Sequence, residues 1–509
     1  MNTTANDRRA FLRRSLMTGL GLGLGGGYGL GLPAEAAEKI AAGDAGAHAI
    51  PWGELADKMA GPLLRPGDPG FADLALPYNL VNAPVVPGAI ARCVLVNDVA
   101  QAIQWARENG VPLVARSGGH SMAGFAVTTG LMIDVKLLNQ TSFDSNTGIA
   151  TIGGGLLNGG LYQALQANNV TITHGRCPKV GAAGYLLGGG IGFDVRRLGI
   201  ASDSMVKSQI VTAEGDILTL SDKENSDLFW ACRGGGGGNF GINTSFSVQT
   251  SPAPKSVTAS RLIWTEKIDR VLPAIFAALQ DCTVRLGAWI TATAVTPEEL
   301  ASGEDVNIIF EGQLVGPPEE LADILAPVYE IKRPSISDIK VLSYWDAQDN
   351  FFTDTPESKK FLSRTQYFRG RISPAICAVL LDFLRRWPGT SKSATASFMQ
   401  MGGAVNALPP DATAFVHRTS DWLLLYYPKW SVTDPEEVSI KAMVWQASLY
   451  DAVAPYAIPE AYQNFMDYSL QTYLSQYYRS NLGRLMRVKA AVDPTEVFKF
   501  PQSIPPAKI

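Results

Sequence analysis

A chain of 509 residues with 46% hydrophobic and 9% aromatic content is long enough for a large core and more than one domain, which excludes a disordered protein. Its 43 Lys and Arg stand against 47 Asp and Glu, a formal net charge of −4 with no long run of either sign. No basic patch of the kind nucleic acid requires follows the N-terminal segment, so partners are expected among small molecules, with no nucleic acid.

In chain order, residues 1–36 read first as an export address. Arg8-Arg9 precede a Leu- and Gly-rich run over 16–32, and Ala34-Glu35-Ala36 supplies small residues for cleavage, the pattern of a twin-arginine signal peptide. A membrane anchor fits less well, because about half of the run is glycine where a span needs ~20 predominantly apolar residues. The twin-arginine export machinery is therefore an expected partner, the destination is periplasmic or extracellular, and no stable membrane insertion is expected after signal removal.

Arg92-Cys93-Val94-Leu95-Val96 followed by Asp98-Val99-Ala100-Gln101-Ala102-Ile103 is similar to the strand and helix that lead into the first flavin loop of a known flavoprotein family. Residues 111–115 form a short expected strand, with Pro112 confined to its start because proline has no N–H for a ladder. It leads into Arg116-Ser117-Gly118-Gly119-His120-Ser121. Further strands are expected at 131–135 and 150–152. A second loop follows, Gly175-Arg176-Cys177-Pro178-Lys179-Val180-Gly181, running on through Gly184 to Gly188-Gly189-Gly190-Ile191-Gly192. Glycines admit left-handed backbone and close ligand approach, and their N–H groups can face phosphate oxygens. Each loop also carries one nucleophilic side chain, so the pair reads as a flavin site with two attachment points. A nicotinamide fingerprint would need a strand before Gly188 and an acidic residue about 20 positions on. Residues 180–187 are too rich in Gly and Ala, and Asp203 comes too early.

A third glycine loop spans 234–241, after Trp230-Ala231-Cys232-Arg233, and includes Asn239 and Gly241. From Lys255 the texture changes. Residues 260–264, 306–312, 397–400 and 423–427 read as strands, and 268–283 and 375–387 as helices. Alternation along a strand places only one of Tyr426 and Tyr427 on a given face. The five cysteines, Cys93, Cys177, Cys232, Cys282 and Cys377, lack paired spacing, so no metal site is expected, and a Cys282–Cys377 bridge stays open.

These motifs, with Tyr462-Gln463-Asn464, Asn481, Lys489, Asp493-Pro494, Phe498 and Pro501-Gln502-Ser503-Ile504 near the C-terminus, resemble the berberine-bridge-enzyme-like branch of the vanillyl-alcohol-oxidase flavoproteins. The resemblance implies an α+β fold: a two-part FAD-binding domain (50–254 and a C-terminal return at 455–509) with an inserted substrate-binding domain (255–454) built on an antiparallel sheet flanked by helices. It implies FAD bonded through its 8α-methyl to His120 and through carbon 6 to Cys177. Arg116, Ser117, Gly118, Gly119, Ser121, Val180, Gly181, Gly184, Gly188, Gly189, Gly190, Gly192, Asn239, Gly241, Asn464 and Asn481 join them as cofactor-binding residues.

The same resemblance makes Tyr462 the catalytic base while hydride passes to flavin N5, with Tyr426 and Tyr427 as further catalytic candidates. A phenol of pKa about 10 needs nearby positive charge for that work. Met401 stands where some relatives carry a second tyrosine. His417-Arg418 resembles a structural segment, and His174 lies where it could tune the flavin or simply be a satisfied loop residue. A small Val180 three residues after Cys177 implies room for O2, hence an oxidase releasing H2O2 from a sugar, oligosaccharide or other secondary alcohol. Oxidative tailoring or cyclisation of an alkaloid, polyketide or glycosylated natural product is the alternative. A flavin-binding protein without turnover is disfavoured by Tyr462 and Asn464.

Overall fold

Short apolar runs open the computed structural model, which describes residues 50–351, 360–390 and 394–508. Ala89–Arg92 and Leu113–Arg116 pair in parallel on either side of Leu131–Asp134, and Leu63–Leu64 adds an antiparallel edge. Parallel neighbours need a crossover, and helix Val96–Glu108 supplies it, burying Val99, Ile103 and Trp105. Asp98, the third residue of this helix, accepts hydrogen bonds from the backbone N–H groups of Val94 (2.9 Å) and Leu95 (3.1 Å). That carboxylate satisfies amides that have no helical partner. The strand expected over 92–96 therefore ends at Arg92: the Cys93 amide still reaches Asp134 O (3.0 Å), but those of Val94 and Leu95 are held by Asp98. The segment expected to be a signal, with Arg8 and Arg9, lies outside the described residues.

A five-stranded antiparallel sheet follows, in the order Thr141–Asp144, Ile149–Gly153, Ile242–Gln249, Met205–Val211, Ile217–Leu220. Between its strands the chain makes the Cys177 loop and then helix Ala182–Leu187, so the Gly- and Ala-rich stretch that made a poor strand is helical.

From Ser256 the chain builds a seven-stranded antiparallel sheet: Ile336–Ser343, Ser256–Trp264, Asn307–Leu314, Leu286–Thr293, Thr395–Gln400, Trp422–Tyr427, Arg364–Phe368. Helices Ile268–Leu279, Pro318–Tyr329, Pro374–Arg385 and Glu436–Val453 contribute to the same buried cluster as Leu262, Phe310, Ile290, Phe398, Leu424 and Tyr426 from this sheet. Successive side chains on a strand point to opposite faces, so the alternate residues form a second face. Two helices were legible: Pro374 at the first helical position and Ser373 accepting from the Ile376 N–H start one of them, while the other stops at Leu279, short of residue 283.

The last residues return to the earlier sheets. Helix Leu482–Val492 places Leu485 and Val488 in the core around the five-stranded sheet. Lys489, fully buried, donates to Asn239 O (2.7 Å), Phe498 O (2.8 Å) and Asp493 Oδ2 (2.6 Å), tying the C-terminal segment to the third glycine loop. None of the five cysteines is in a disulfide, so the open Cys282–Cys377 pairing is not formed; Cys377 is buried among the helices, and Cys282 accepts from Arg196 Nη1 at 3.3 Å. Among the described residues no helix is long and apolar enough to cross a membrane.

Candidate active site

The first two glycine loops meet backbone to backbone. A Cβ on Gly118 would fall 2.2 Å from Gly181 N, and one on Gly181 would fall 2.4 Å from Gly118 N. No side chain fits there, so glycine at both positions is what allows the loops to touch. The contact brings His120 and Cys177 into the wall of one cavity of about 520 Å³, in the size range of small-molecule sites. Tyr78, which sequence reasoning missed, stacks on the His120 ring with centroids 3.5 Å apart and planes 20° from parallel. Only a tertiary contact reveals it.

This cavity suits a large flat cofactor with hydrogen-bonding edges. Gly184, on the helix after the Cys177 loop, would project a Cβ with nothing within 4 Å, although it lies in the cavity wall. At Gly237 and Gly238, also in the wall, an added Cβ would come no nearer than 3.8 Å to anything. Asn158, wholly buried beneath the Cys177 loop, donates to Cys177 O at 3.4 Å, while its Oδ1 has no partner among the described residues. A buried acceptor of that kind calls for a donor from a bound group. Ser117, whose hydroxyl donates to Gly154 O (2.9 Å), Ser121, Gly119, Val180 and Gly241 line the same space.

Several expected cofactor residues stand behind the wall. Arg116 turns away, its Nη1 donating to Ala75 O at 3.0 Å beneath the loop. A Cβ on Gly188 would strike Asn464 Oδ1 at 2.0 Å, and one on Gly192 would strike His174 O at 1.9 Å, so these positions are closed by protein atoms. Gly189 and Gly190 adopt left-handed backbone, with φ of 123° and 84°. Asn239 donates to Gly235 O (3.0 Å) and accepts from Ile504 N–H (2.9 Å), and Asn481 donates to Pro410 O (2.8 Å) and Thr413 O (3.1 Å). These groups shape the loops that face the cavity. A short polar or glycine motif marks both kinds of position alike.

Tyr462 lies in the wall, 1% exposed. Its phenol oxygen accepts from Gly190 N–H at 2.9 Å and from Asn464 Nδ2 at 3.3 Å. Burial pushes its pKa up to about 12, against the pull of these two donors. The positive charge expected beside it is replaced by neutral N–H groups. The Gly188–192 stretch thereby acquires a defined role, since it carries the amide that faces the phenol.

The second face of the seven-stranded sheet closes the cavity. One cross-strand row runs Arg261, Glu311, Trp289, Met399; the next contains Ile309, Thr291, Ser397, Leu425; the third has Thr395 beside Tyr427. Tyr427 faces the cavity. Tyr426 lies on the opposite face, where its hydroxyl donates to Gln366 in the helix-covered core, so of the two catalytic candidates only Tyr427 borders the space. Met401, 2% exposed, belongs to the apolar cluster around Tyr462. His417, also buried, pairs Nδ1 with Glu460 (2.7 Å) and Nε2 with Gln463 (3.2 Å), and Arg418 forks onto Asp203 at 2.6 and 2.7 Å.

His174 sits one layer beneath Cys177. Its Nε2 is 2.9 Å from Tyr344 Oη, and Tyr344 donates to Asp194 Oδ2 at 2.5 Å. Because the single phenol proton goes to Asp194, the network assigns the proton on Nε2 to the histidine. Burial lowers the His174 pKa to about 4, overriding the pull of Asp194.

The model of an FAD binding domain matches residues 87–221, and the model described as berberine and berberine like matches 461–505. An FAD-linked oxidoreductase of Bacillus subtilis is 33% identical over 463 residues, covering 89% of this chain and 99% of the relative. The glucooligosaccharide oxidase of Sarocladium strictum is 30% identical over 455 residues, covering 82% and 87% of the two chains. The solved xylooligosaccharide oxidase of Myceliophthora thermophila, in complex with xylobiose, superposes with a TM-score of 0.80 at 25% identity, over 91% of this chain and all of its own.

Proposed function

The chain belongs to the berberine-bridge-enzyme-like FAD-linked oxidoreductases, and we propose on that footing that it is an oxidase of a sugar, oligosaccharide or other secondary alcohol, passing electrons to O2 and releasing H2O2. The observation that carries this is one cavity whose wall holds His120, Cys177, Tyr462 and Asn464 and whose far side is an open sheet face. Bound FAD supplies the two-electron acceptor. His120 and Cys177 are the proposed covalent attachment points, with Asn158, Ser117, Gly119, Gly181 and Gly184 around the cofactor.

Tyr462 is the proposed base for the substrate hydroxyl proton. As the phenol loses its proton, the Gly190 and Asn464 donors already point at the oxygen that gains charge, so little reorganisation accompanies the transfer. Tyr427 and the hydroxyls of Thr291, Thr395 and Ser397 would orient the substrate on the sheet face. Val180, half-buried three residues beyond Cys177, is the proposed oxygen gate; Val180→Leu should slow reoxidation by O2 and leave reduction by substrate intact. The proposed partition into an FAD-binding domain (50–254 and 455–509) and a substrate-binding domain (255–454) is supported by the start of the seven-stranded sheet at Ser256. Twin-arginine export completes the proposal, and Arg8→Lys with Arg9→Lys should retain the protein in the cytoplasm.

A peroxide-release screen over neutral and acidic sugars, glycosides and phenolic alcohols tests the activity. Flavin mass on peptides containing His120 and Cys177, after acid precipitation, tests the attachment. Peroxide from no saccharide, with turnover of an alkaloid or phenolic alcohol, would overturn the substrate class.

A further inference from the structure

Among the described residues, the sheet side of the cavity holds more cationic than anionic side chains. Among the described residues of the wall, Arg176, Arg261 and Lys429 lie toward the sheet with a single carboxylate, Glu311. Two of those cations converge on it: Arg176 Nη1 is 2.8 Å from Glu311 Oε2 and Arg261 Nη1 is 2.8 Å from Glu311 Oε1. Counting Arg176 and Arg261 against Glu311, the described part of this cluster carries one surplus positive charge. Low-dielectric walls focus such a surplus into the cavity.

The two arginines differ in what holds them. Arg176 is a brace: its side chain is 8% exposed, it lies over Trp289 at 4.6 Å, and its Nε donates to Phe351 O. Arg261 is half exposed, at 48%, and its one bonded partner among the described residues is Glu311, through Nη1. A guanidinium has five N–H donors, so Nε and Nη2 of Arg261 remain for a ligand in the bidentate geometry that carboxylates favour. An exposed pair adds little stability where Arg176 already compensates the carboxylate. Lys429 closes the other end of the same face, with its ammonium 4.7 Å above the Tyr427 ring. Between the strand of Arg261 and that of Tyr427 lie four strand steps, about 19 Å at roughly 4.8 Å each.

We infer that the substrate is anionic: an oligosaccharide carrying a uronate carboxylate, which Arg261 engages at one end of the sheet face while the reacting alcohol lies near Tyr462. This rests on the reading of the chain as a saccharide oxidase. Carboxylate recognition at Arg261 gives a preference that a neutral hydroxyl cannot match, because a carboxylate carries the opposite charge and accepts two parallel N–H bonds from the guanidinium.

The test compares one disaccharide with and without the charge, cellobiose and cellobiouronic acid, on the flavin-loaded enzyme. The acid should show a kcat/KM higher by about tenfold or more, the size of one charge-assisted hydrogen bond, and the advantage should shrink with added salt. Arg261→Gln should collapse the ratio through KM for the acid, and Arg261→Lys should restore part of it. Equal kcat/KM for the pair, or an unchanged ratio in Arg261→Gln, would overturn the inference. If neither sugar is oxidised, the saccharide-oxidase reading fails, and titration of the flavin absorbance with the same pair decides the rest. Tighter binding of the acid that depends on Arg261 supports the anion site, and equal binding refutes it.

Discussion

At Tyr462 the sequence identified the residue but not its electrostatics. A phenol this deeply buried resists ionisation, and the groups that counter burial are a main-chain amide and a carboxamide. Tyr462→Phe should slow reduction of the bound flavin by about 10²-fold or more, the usual contribution of a positioned base, with the visible spectrum nearly unchanged. The base works when deprotonated, so the reduction rate in the native enzyme should rise with pH toward the phenol pKa of about 12. Asn464→Leu removes one donor and should shift that rise to still higher pH. Stopped-flow reduction across pH measures both, and a flat profile would assign the proton to another group. Tyr426 shows the converse limit: alternation says that neighbours face opposite ways, but which one meets the cavity depends on the pairing Thr395↔Tyr427 and Ala396↔Tyr426, which no local pattern encodes.

Between elements, the decisive contact is Gly118 against Gly181. Gly181→Ala must push a Cβ into Gly118 N and the Ser117 side chain, so flavin content after purification should fall sharply, together with thermal stability. Gly184→Leu is the discriminating companion. No protein atom lies within 4 Å of where its Cβ would stand, so the polypeptide should fold normally and yet lose flavin, read as absorbance near 450 nm against 280 nm. Full flavin loading of Gly184→Leu would place the cofactor elsewhere.

The layer beneath these loops has its own pH response. His174 has a pKa of about 4 when folded and about 6.5 when unfolded, so between those values only the unfolded chain takes up the proton. Its contribution is complete above pH 6.5 and is lost as pH falls toward 4, up to roughly 3 kcal/mol. Urea midpoints should drop across that window, and His174→Asn should flatten the drop. Parallel curves for the two proteins would trace acid sensitivity to other groups. The residues flanking His174 in sequence hold no hint of this, because Tyr344 and Asp194 come to it from distant parts of the chain.

Across the whole molecule, the glycine loops and the change of texture near residue 255 were legible because they depend on composition and short periodicity. The cationic face was not, since Arg176, Arg261, Glu311 and Lys429 sit on separate segments that only the cavity unites. Lys489 is intermediate: its motif was visible, and its role emerges from the fully buried pair with Asp493. Removing one partner of such a pair strands the other charge, so Lys489→Met should cost about 3–5 kcal/mol in chemical denaturation. Adding Asp493→Leu should recover much of that loss. A single-variant cost within about 1 kcal/mol, on the scale of an exposed pair, would show that the carboxylate finds water instead.

The position of that anchor also sets a timetable for synthesis. Tyr462, Asn464, Phe498 and Phe500 all border the cavity, and Phe498 is held by Lys489 within the last stretch of chain. A nascent polypeptide still attached to the ribosome has the paired glycine loops but not the wall that closes over them. Capture of the cofactor therefore waits until residues 462–500 have left the ribosome, and a ribosome-stalled product ending at residue 455 should emerge colourless.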